Sequence, residues 1–347
     1  MAATPERTLT QRELNRAVLA RQLLLERRSL PLPRALERVG GIQAQYAPSM
    51  YIGLWSRLAG LERDAVTRAL ERRTIVQATL MRVTIHLVSA GDYWPFVAAI
   101  RRRRQEWWLR VVRDRPEPDE LAAAAARLRA RLADGPLRRA ELEEFLGKRP
   151  ASGVGLWLDL VRAPPSGTWK RRRADLYAAA ADWLPPVEVS EEDGVELLVR
   201  RYLAAFGPAT RRDVTDWAGL PIKSVTPALE RLELRRFRTI GGEELLDLPR
   251  APLPDPDTPA PVRFLPVWDA TLLVHARRTG ILPERYRPRI FNTKTPHSVN
   301  TFLVDGAVAG SWRYERGRIA IEPFEKLDKA AERELADEAE RLSAFHA

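Results

Sequence analysis

Apolar residues recur at helical spacing over residues 10–30, 32–39 and 65–70, and residues 81–88 then alternate apolar with polar, so the first third of the chain predicts helices closed by a strand. That strand turns Val83, Ile85 and Leu87 to one face and Arg82, Thr84 and His86 to the other. The first face is core and the second a polar row, in which His86 serves either as a structural hydrogen-bonder or as a general base. Beyond Gly91 a longer helix carries Arg101, Arg102, Arg103 and Arg104 with Trp107 and Trp108. Basic side chains interleaved with indoles suit contact with nucleobases and phosphates. Tryptophans at helical spacing equally suit core anchors with a solvated arginine flank.

The clearest local pattern lies at residues 207–248. Thr210 with Asp213 three positions on forms a capping-box signature, Val214, Trp217 and Ala218 supply an apolar side, and Gly219 ends the helix. Pro221 opens a second helix with Val225, Leu229 and Leu232 at helical spacing. Residues 234–240 and 243–248 around Gly241-Gly242 read as a hairpin. Helix, tight turn, helix and hairpin is the winged-helix order, and Lys223, Arg231, Arg235, Arg236 and Arg238 fall where such a reader meets phosphates. A solvated basic face on a purely packing domain has the same pattern.

Residues 132–142 (LADGPLRRAEL) echo residues 203–214 (LAAFGPATRRDV) with one residue inserted, which points to duplication. After the first copy come a helix-like stretch at 154–161 and a turn at Ser166-Gly167, with Trp169, Lys170, Arg171, Arg172 and Arg173 beyond it. This predicts a second winged helix, and a divergent third copy fits the N-terminal region. After the proline-rich residues 249–261, stretches 262–267, 298–304, 307–313 and 319–321 read as strands, with Asp305-Gly306 a two-residue hairpin turn. A small β-barrel or sheet is expected there, closed by a helix at 327–345.

A length of 347 residues implies two to four structural units. The absence of cysteine excludes disulfides, thiolate catalysis, Fe–S clusters and cysteine-ligated zinc. His86, His275, His297 and His346 are scattered without ligand spacing, so neither a metal nor a cofactor is expected. No run of ~18 apolar residues spans a membrane and residues 1–7 lack the apolar core of a secretory signal, so the expectation is a soluble cytoplasmic protein without a membrane partner. A net charge of +11 and a pI near 10.3 favour polyanions, with nucleic acid the default. Only six of the 57 basic residues are lysines, a skew that coding bias also produces.

Against this background one short stretch looks placed for chemistry: Gln43-Ala44-Gln45, after Gly40-Gly41 and before Ala47-Pro48. Two residues apart means one face of a strand but roughly 200° around a helix, so the amides converge only in an extended or turned segment. Gly40-Gly41 and Pro48 favour such a segment. The pair can then hold one water between two carbonyl oxygens, although Gln-x-Gln also arises by accident on surfaces.

Four stretches, residues 32–45 (LPRALERVGGIQAQ), 80–87 (LMRVTIHL), 264–269 (FLPVWD) and 302–313 (FLVDGAVAGSWR), together resemble the AlkZ-like bacterial DNA glycosylases, the YcaQ winged-helix family. The resemblance covers most of the chain in the right order. It implies a mainly α fold with β wings: three tandem winged helices followed by a C-terminal β-barrel, arranged as a C around duplex DNA. On that reading residues 1–118 form the first winged helix with the Gln-x-Gln segment, 119–190 the second, 191–255 the third and 256–347 the barrel with its closing helix. The family's motif falls on Gln43 and Gln45 as catalytic residues, and Tyr46, Met50, Arg82, Thr84 and His86 are expected to line the site. Lys170, Arg171, Arg172, Lys223, Arg235, Arg236, Arg238, Lys294 and Trp312 are expected to meet DNA. Val83 and Ile85 stand where Gly and Leu are common in the family, a departure that bears on Thr84 and His86.

The resemblance further implies excision of bulky N7-alkylated purines or crosslinks from double-stranded DNA, and its Gln-x-Gln branch is associated with self-resistance in producers of DNA-alkylating natural products. The first lysine in the chain is Lys148, so a Schiff-base lyase step from this segment is not expected, and the enzyme is read as a monomeric, nucleoid-associated monofunctional glycosylase. The rival reading is a winged-helix transcription regulator, which would add a dimerisation or effector unit and read a palindrome.

Overall fold

The structure, a computed structural model, describes residues 4–292 and 297–347. It opens with β1 (Thr8–Leu9), α1 (Gln11–Arg21), α2 (Leu32–Val39), β2 (Ile42–Gln43), α3 (Ala47–Trp55), α4 (Arg63–Glu71), the hairpin β3 (Ile75–Thr79) and β4 (Ile85–Ser89), and the long helix α5 (Ala90–Val111). Next come α6 (Pro118–Leu132), β5 (Leu137–Arg138), α7 (Arg139–Leu146), α8 (Lys148–Gly153), the pair β6 (Leu160–Arg162) and β7 (Leu176–Ala179), and α9 (Ala180–Trp183). A third run comprises α10 (Glu191–Phe206), α11 (Arg211–Ala218), α12 (Ile222–Arg231), β8 (Arg235–Thr239) and β9 (Glu244–Asp247). The chain ends with β10 (Arg263–Leu265), α13 (Arg287–Ile290), β11 (Phe291–Asn292), β12 (His297–Ser298), β13 (Thr301–Val304), β14 (Ala307–Glu315), β15 (Arg318–Pro323) and α14 (Lys329–His346).

A helix, a short strand, two helices and a hairpin therefore recur three times, and the pairing recurs with them. Each short segment pairs with the second strand of its own hairpin: β2 with β4, β5 with β7, and Ala209 with Leu246 in β9. The first two hairpins join edge to edge through β3 and β6, giving one six-stranded sheet in the order β2-β4-β3-β6-β7-β5. The third hairpin is extended by β1 from the N-terminus, which runs parallel to β8. Helices α5 and α10 supply much of the largest core, with Phe96, Val97, Leu198, Val199 and Phe206 buried.

The third repeat forms as its sequence dictates. Thr210 and Asp213 make the capping box, Gly219 closes α11 in the left-handed region, and Pro221 caps α12. Elsewhere the backbone departs from the pattern. The helix expected over 10–30 stops at Arg21, because Leu23 adopts φ 59° and Leu24 donates to the Leu19 carbonyl at 2.8 Å in a closing turn. The strand expected over 81–88 starts only at Ile85, since Met81–Val83 forms a tight turn in which Arg82 and Val83 take φ 54° and 57°. The helix expected at 154–161 is a short turn at Val154–Leu156 followed by β6. No closed barrel forms among the described residues: β10-β13-β14-β15 is an open antiparallel sheet, and β11 with β12 is a separate ribbon. The sheet is covered on both faces by other elements: Phe264, Phe302 and Trp312 pack with Leu335, Ala339 and Leu342 of α14, whereas Leu265, Leu303 and Val308 join the largest core. Both apolar faces are thus buried without the sheet closing on itself.

Buried arginines fasten distant segments. Both Arg21 and Asp247 have fully buried side chains, and the pair is bidentate at 2.7 and 2.8 Å. The remaining Arg21 N–H groups reach the carbonyls of Leu203 and Pro252. Arg57 and Asp269 form a second such pair at 2.9 and 3.0 Å, linking the end of α3 to the segment after β10. Removing one partner strands a desolvated charge. Asp247→Ala is expected to cost about 3–5 kcal/mol in urea unfolding, and Arg21→Met combined with Asp247→Ala to regain most of it.

Candidate active site and nucleic-acid interface

Strand β2 is two residues long, yet its place is tightly fixed. Gly40 ends α2 at φ 78° and Gly41 follows at φ 80°; a Cβ on Gly41 would sit 3.0 Å from Val88 Cγ1 and 3.2 Å from the Leu87 carbonyl. Only glycine lets the chain turn this close to β4. Ile42 then pairs with Leu87 and Gln43 with His86, and the Ala44 N–H donates to the Ile85 carbonyl at 2.7 Å. Residues directly opposite on paired strands share a face, so Gln43 and His86 stand side by side.

Gln43 is 8% exposed, and its Oε1 accepts from Arg82 Nη2 at 3.2 Å. Arg82 also donates through Nη1 to the Trp217 carbonyl of α11, so the third repeat braces this amide. Desolvation brings the Arg82 guanidinium down to about 10, which leaves it charged at neutral pH. Gln45 is exposed and makes no hydrogen bond among the described residues. Thr84 spends its hydroxyl on the Met81 carbonyl at 3.0 Å, stabilising the left-handed turn. His86 Nδ1 lies 3.0 Å from the Thr84 carbonyl, which can only accept, so Nδ1 carries the proton and Nε2 is left as an acceptor. Burial first and the charge of Arg82 second push His86 down to about 3, so it is neutral at physiological pH.

The other expected residues divide sharply. Tyr46 is exposed at the start of α3, and its hydroxyl accepts from Arg172 Nη1 at 3.0 Å, which ties the Gln-x-Gln segment to the loop between β6 and β7. Met50 is fully buried, with its sulfur 2.8 Å from Gln77 Nε2, and is a core residue rather than a lining one. Lys170, Arg171 and Arg172 are exposed at the tip of the same loop. Trp169 anchors that tip, packed on Tyr51, Phe345 and His346, while Gln77 holds the loop by donating to the Gly167 carbonyl at 3.0 Å. Lys223 and Arg238 are exposed without an ion pair among the described residues. Arg235 and Arg236 instead pair with Glu6 and Glu244.

Trp312, expected at DNA, is a core anchor: it is 4% exposed, and its indole N–H donates to the Leu265 carbonyl at 3.0 Å. Lys294 lies outside the described residues. On α5, Trp108 is buried against Trp157, and Arg101 and Arg104 pair with Asp159, so the core-anchor reading holds for that face.

Sequence reasoning missed the Tyr46–Arg172 bridge and the Arg57–Asp269 pair. Each joins residues far apart in the chain with no shared periodicity. Only the juxtaposition of Trp268 with Asp269 in the third resembling stretch hinted at the second.

An amide on the edge strand β2 and a neutral imidazole on its neighbour β4, beside a loop that exposes Lys170, Arg171 and Arg172, are groups that a hydrolytic site with a polyanion-binding surface can use. Residues 36–345 match the family model described as DNA glycosylase AlkZ-like. The chain therefore belongs to the AlkZ-like DNA glycosylase family and is a DNA-repair hydrolase of N-glycosyl bonds whose substrate is DNA. No curated relative matches the sequence. Among solved structures the fold is similar to that of the Streptomyces sahachiroi DNA glycosylase AlkZ, with a TM-score of 0.77 and 18% identity over 97% of each chain. The mixed α/β fold is thus shared along the whole length. No helix among the described residues is long and apolar enough to cross a membrane.

The His86 imidazole takes a proton far more readily in the unfolded chain (near 6.5) than in the folded one (about 3), so native stability is complete above about pH 6.5 and declines as pH falls toward 3. At pH 5.5 this one side chain costs about 1.4 kcal/mol. His86→Gln should flatten that part of a plot of melting temperature against pH, leaving the similarly depressed His275 and His346 to account for the rest. For DNA, replacing Lys170, Arg171 and Arg172 by Ala is expected to weaken binding uniformly across sequences. It should also reduce the slope of log K against log salt by about 0.9 for each phosphate that is no longer neutralised, as read by fluorescence anisotropy.

Proposed function

We propose that this protein is a monofunctional, monomeric glycosylase that releases bulky N7-alkylated purines from duplex DNA by water attack at C1′, with Gln43 and Gln45 positioning the water. The observation that carries the proposal is the pairing of a braced amide with a free one. Arg82 fixes Gln43 Oε1 through one lone pair and leaves the other available, while the Gln45 amide two residues on is unengaged. The residues gathered here, Gln43, Gln45, Tyr46, Arg82, Thr84 and His86, include no carboxylate, and His86 is too weak a base to hold a proton at neutral pH.

Such a site suits a leaving group that brings its own activation. N7 alkylation makes the purine cationic; when C1′–N9 breaks, the electron pair neutralises the ring, and no general acid is required. The sugar develops oxocarbenium character, which two amide carbonyl dipoles favour. The water they hold then bonds to C1′ and gives its proton to solvent. In support, the family is one of DNA glycosylases, and the three repeats with their basic hairpins and loops read as tandem winged helices, with divisions near residues 118, 190 and 255. Self-resistance to a DNA-alkylating natural product is the biological role proposed for this Gln-x-Gln chemistry.

Gln43→Ala with Gln45→Ala is expected to slow release of N7-alkylguanine from a defined duplex by about 100-fold or more while duplex affinity stays near that of the unaltered protein. Borohydride should trap no covalent protein–DNA adduct. Excision at an unchanged rate, or a trapped adduct, would overturn the assignment.

A further inference from the structure

Gln45 makes no hydrogen bond of its own among the described residues, so its place is set by the residues on either side. Upstream, Arg82 braces Gln43. Downstream, Tyr46 is 45% exposed and extended at the start of α3, and it accepts from Arg172 Nη1 at 3.0 Å, with the guanidinium 5.9 Å from the phenol ring. An exposed contact of this kind carries weight only if the loop that supplies it is held, and here it is. The Ser166 hydroxyl donates to the Arg173 carbonyl at 2.7 Å and accepts from the Asp175 N–H at 2.8 Å, while the Thr168 N–H donates to the Arg171 carbonyl at 3.1 Å and closes the tip. Trp169 wedges that tip against three helices: its ring lies 5.6 Å from Tyr51 of α3, 5.1 Å from the Arg63 guanidinium of α4, and 5.8 and 5.0 Å from Phe345 and His346 of α14. Arg63 also donates to the carbonyls of Phe345 and His346 at 3.1 and 2.9 Å, which ties the end of α14 to the same wedge. Arg172 is thereby presented in a fixed place beside the Gln-x-Gln segment.

We infer that Tyr46 and Arg172 are a positioning pair, through which contact with the DNA backbone sets the alignment of the Gln45 amide. The inference rests on the water-attack reading above and adds to it how the second repeat serves the site. A guanidinium carries five N–H donors in a planar fork. Nη1 spends one on Tyr46, and the edge formed by Nε and Nη2 makes no bond among the described residues, so it can take two oxygens of one phosphate side by side. One exposed side chain thus joins a backbone phosphate to the residue that follows Gln45. A lysine here would keep the charge but lacks the fork, so it cannot hold phosphate and phenol at once in a defined geometry. Both partners are exposed, and the pair acts on the geometry of the site rather than on the fold.

The test follows single-turnover release of N7-benzylguanine from one position in a duplex, over a range of protein concentrations, by the unaltered protein, Tyr46→Phe, Arg172→Lys and the double variant. Tyr46→Phe keeps the ring and loses the acceptor; it should lower the rate at saturating protein by about tenfold and leave the half-saturating concentration within about twofold. Arg172→Lys keeps the charge, so the dependence of affinity on salt should hold its slope while the saturated rate falls by a similar factor. The double variant should be no slower than the slower single one, because both changes remove the same link. Melting temperatures should stay within about 2 °C of that of the unaltered protein, which separates positioning from loss of fold. An unchanged saturated rate in either single variant, losses that multiply in the double one, or a slowed variant that also melts lower, overturns the inference. If Tyr46→Phe and Arg172→Lys match the unaltered protein while Gln43→Ala with Gln45→Ala is slow, it falls alone. If the unaltered protein releases no N7-benzylguanine, the N7-adduct reading falls and this inference with it.

Discussion

The pairing of two residues of β2 with β4 is the constraint on which the proposed chemistry depends. It exists because Gly41, at φ 80°, lets the chain approach Val88 and Leu87 more closely than any side chain would permit. Once Ile42 faces Leu87, register leaves Gln43 no choice but to stand beside His86, and a slip of one residue would turn the amide to the opposite face. The chain then leaves the sheet at Ala44, and Gln45 emerges exposed where α3 begins. The same short-strand pairing occurs at β5 with β7 and at Ala209 with Leu246, where neither copy carries a glutamine pair. One repeated architectural element has thus been given a polar cargo in a single copy.

A second constraint is how the arginines are used. Arg21 and Arg57 are desolvated struts, each held bidentate by a carboxylate, between segments more than two hundred positions apart in sequence, and Arg16 likewise joins α1 to the Asp305-Gly306 turn. Planar guanidinium groups satisfy several carbonyls and a carboxylate at once, which a lysine cannot do. Part of the positive charge is therefore internal scaffolding, and Arg235 and Arg236 are engaged with carboxylates at the surface. Exposed cations without a carboxylate partner among the described residues include Lys170, Arg171 and Arg172 of the Trp169-anchored loop, Lys223 and Arg238. Net charge indicated the class of partner, but burial decides which residues meet it.

What could be read from the chain follows the same division between local and distant causes. The Thr210–Asp213 cap, the Gly219 stop and the Asp305-Gly306 turn are written in neighbouring residues, and each forms as expected. The extended Gln-x-Gln segment was legible because glycines and proline bracket it. The left-handed turn at Arg82 and Val83 was not, since its sequence alternates as a strand would, and the Thr84 hydroxyl and the contact with Trp217 impose the turn from outside the period. Trp312 misled for a related reason: beside Arg313 it resembles a DNA-stacking pair, but alternation in β14 points the indole inward and the guanidinium outward. The expected barrel does not close because α14 covers one face of the open sheet and the largest core covers the other, through Leu265, Leu303 and Val308, a second cover that no short-range period reveals. The parallel addition of β1 to β8 joins opposite ends of more than two hundred residues, and no local pattern announces such a partner.

The neutrality of the proposed site is itself a consequence of packing. A carboxylate in place of Gln43 would face Arg82 at close range and form a buried ion pair, which would fix it away from any water and bind its charge to the guanidinium. An amide accepts one bond from Arg82 and keeps a lone pair, so it can be held and still act. His86, driven neutral by the same burial, offers Nε2 as an acceptor without adding a second positive charge beside a cationic substrate. A reaction whose leaving group departs unaided needs order more than proton transfer, and order is what a braced strand provides. On this argument selectivity has to come from recognition of the substituent, since the hydrolytic groups do not distinguish one cationic purine from another.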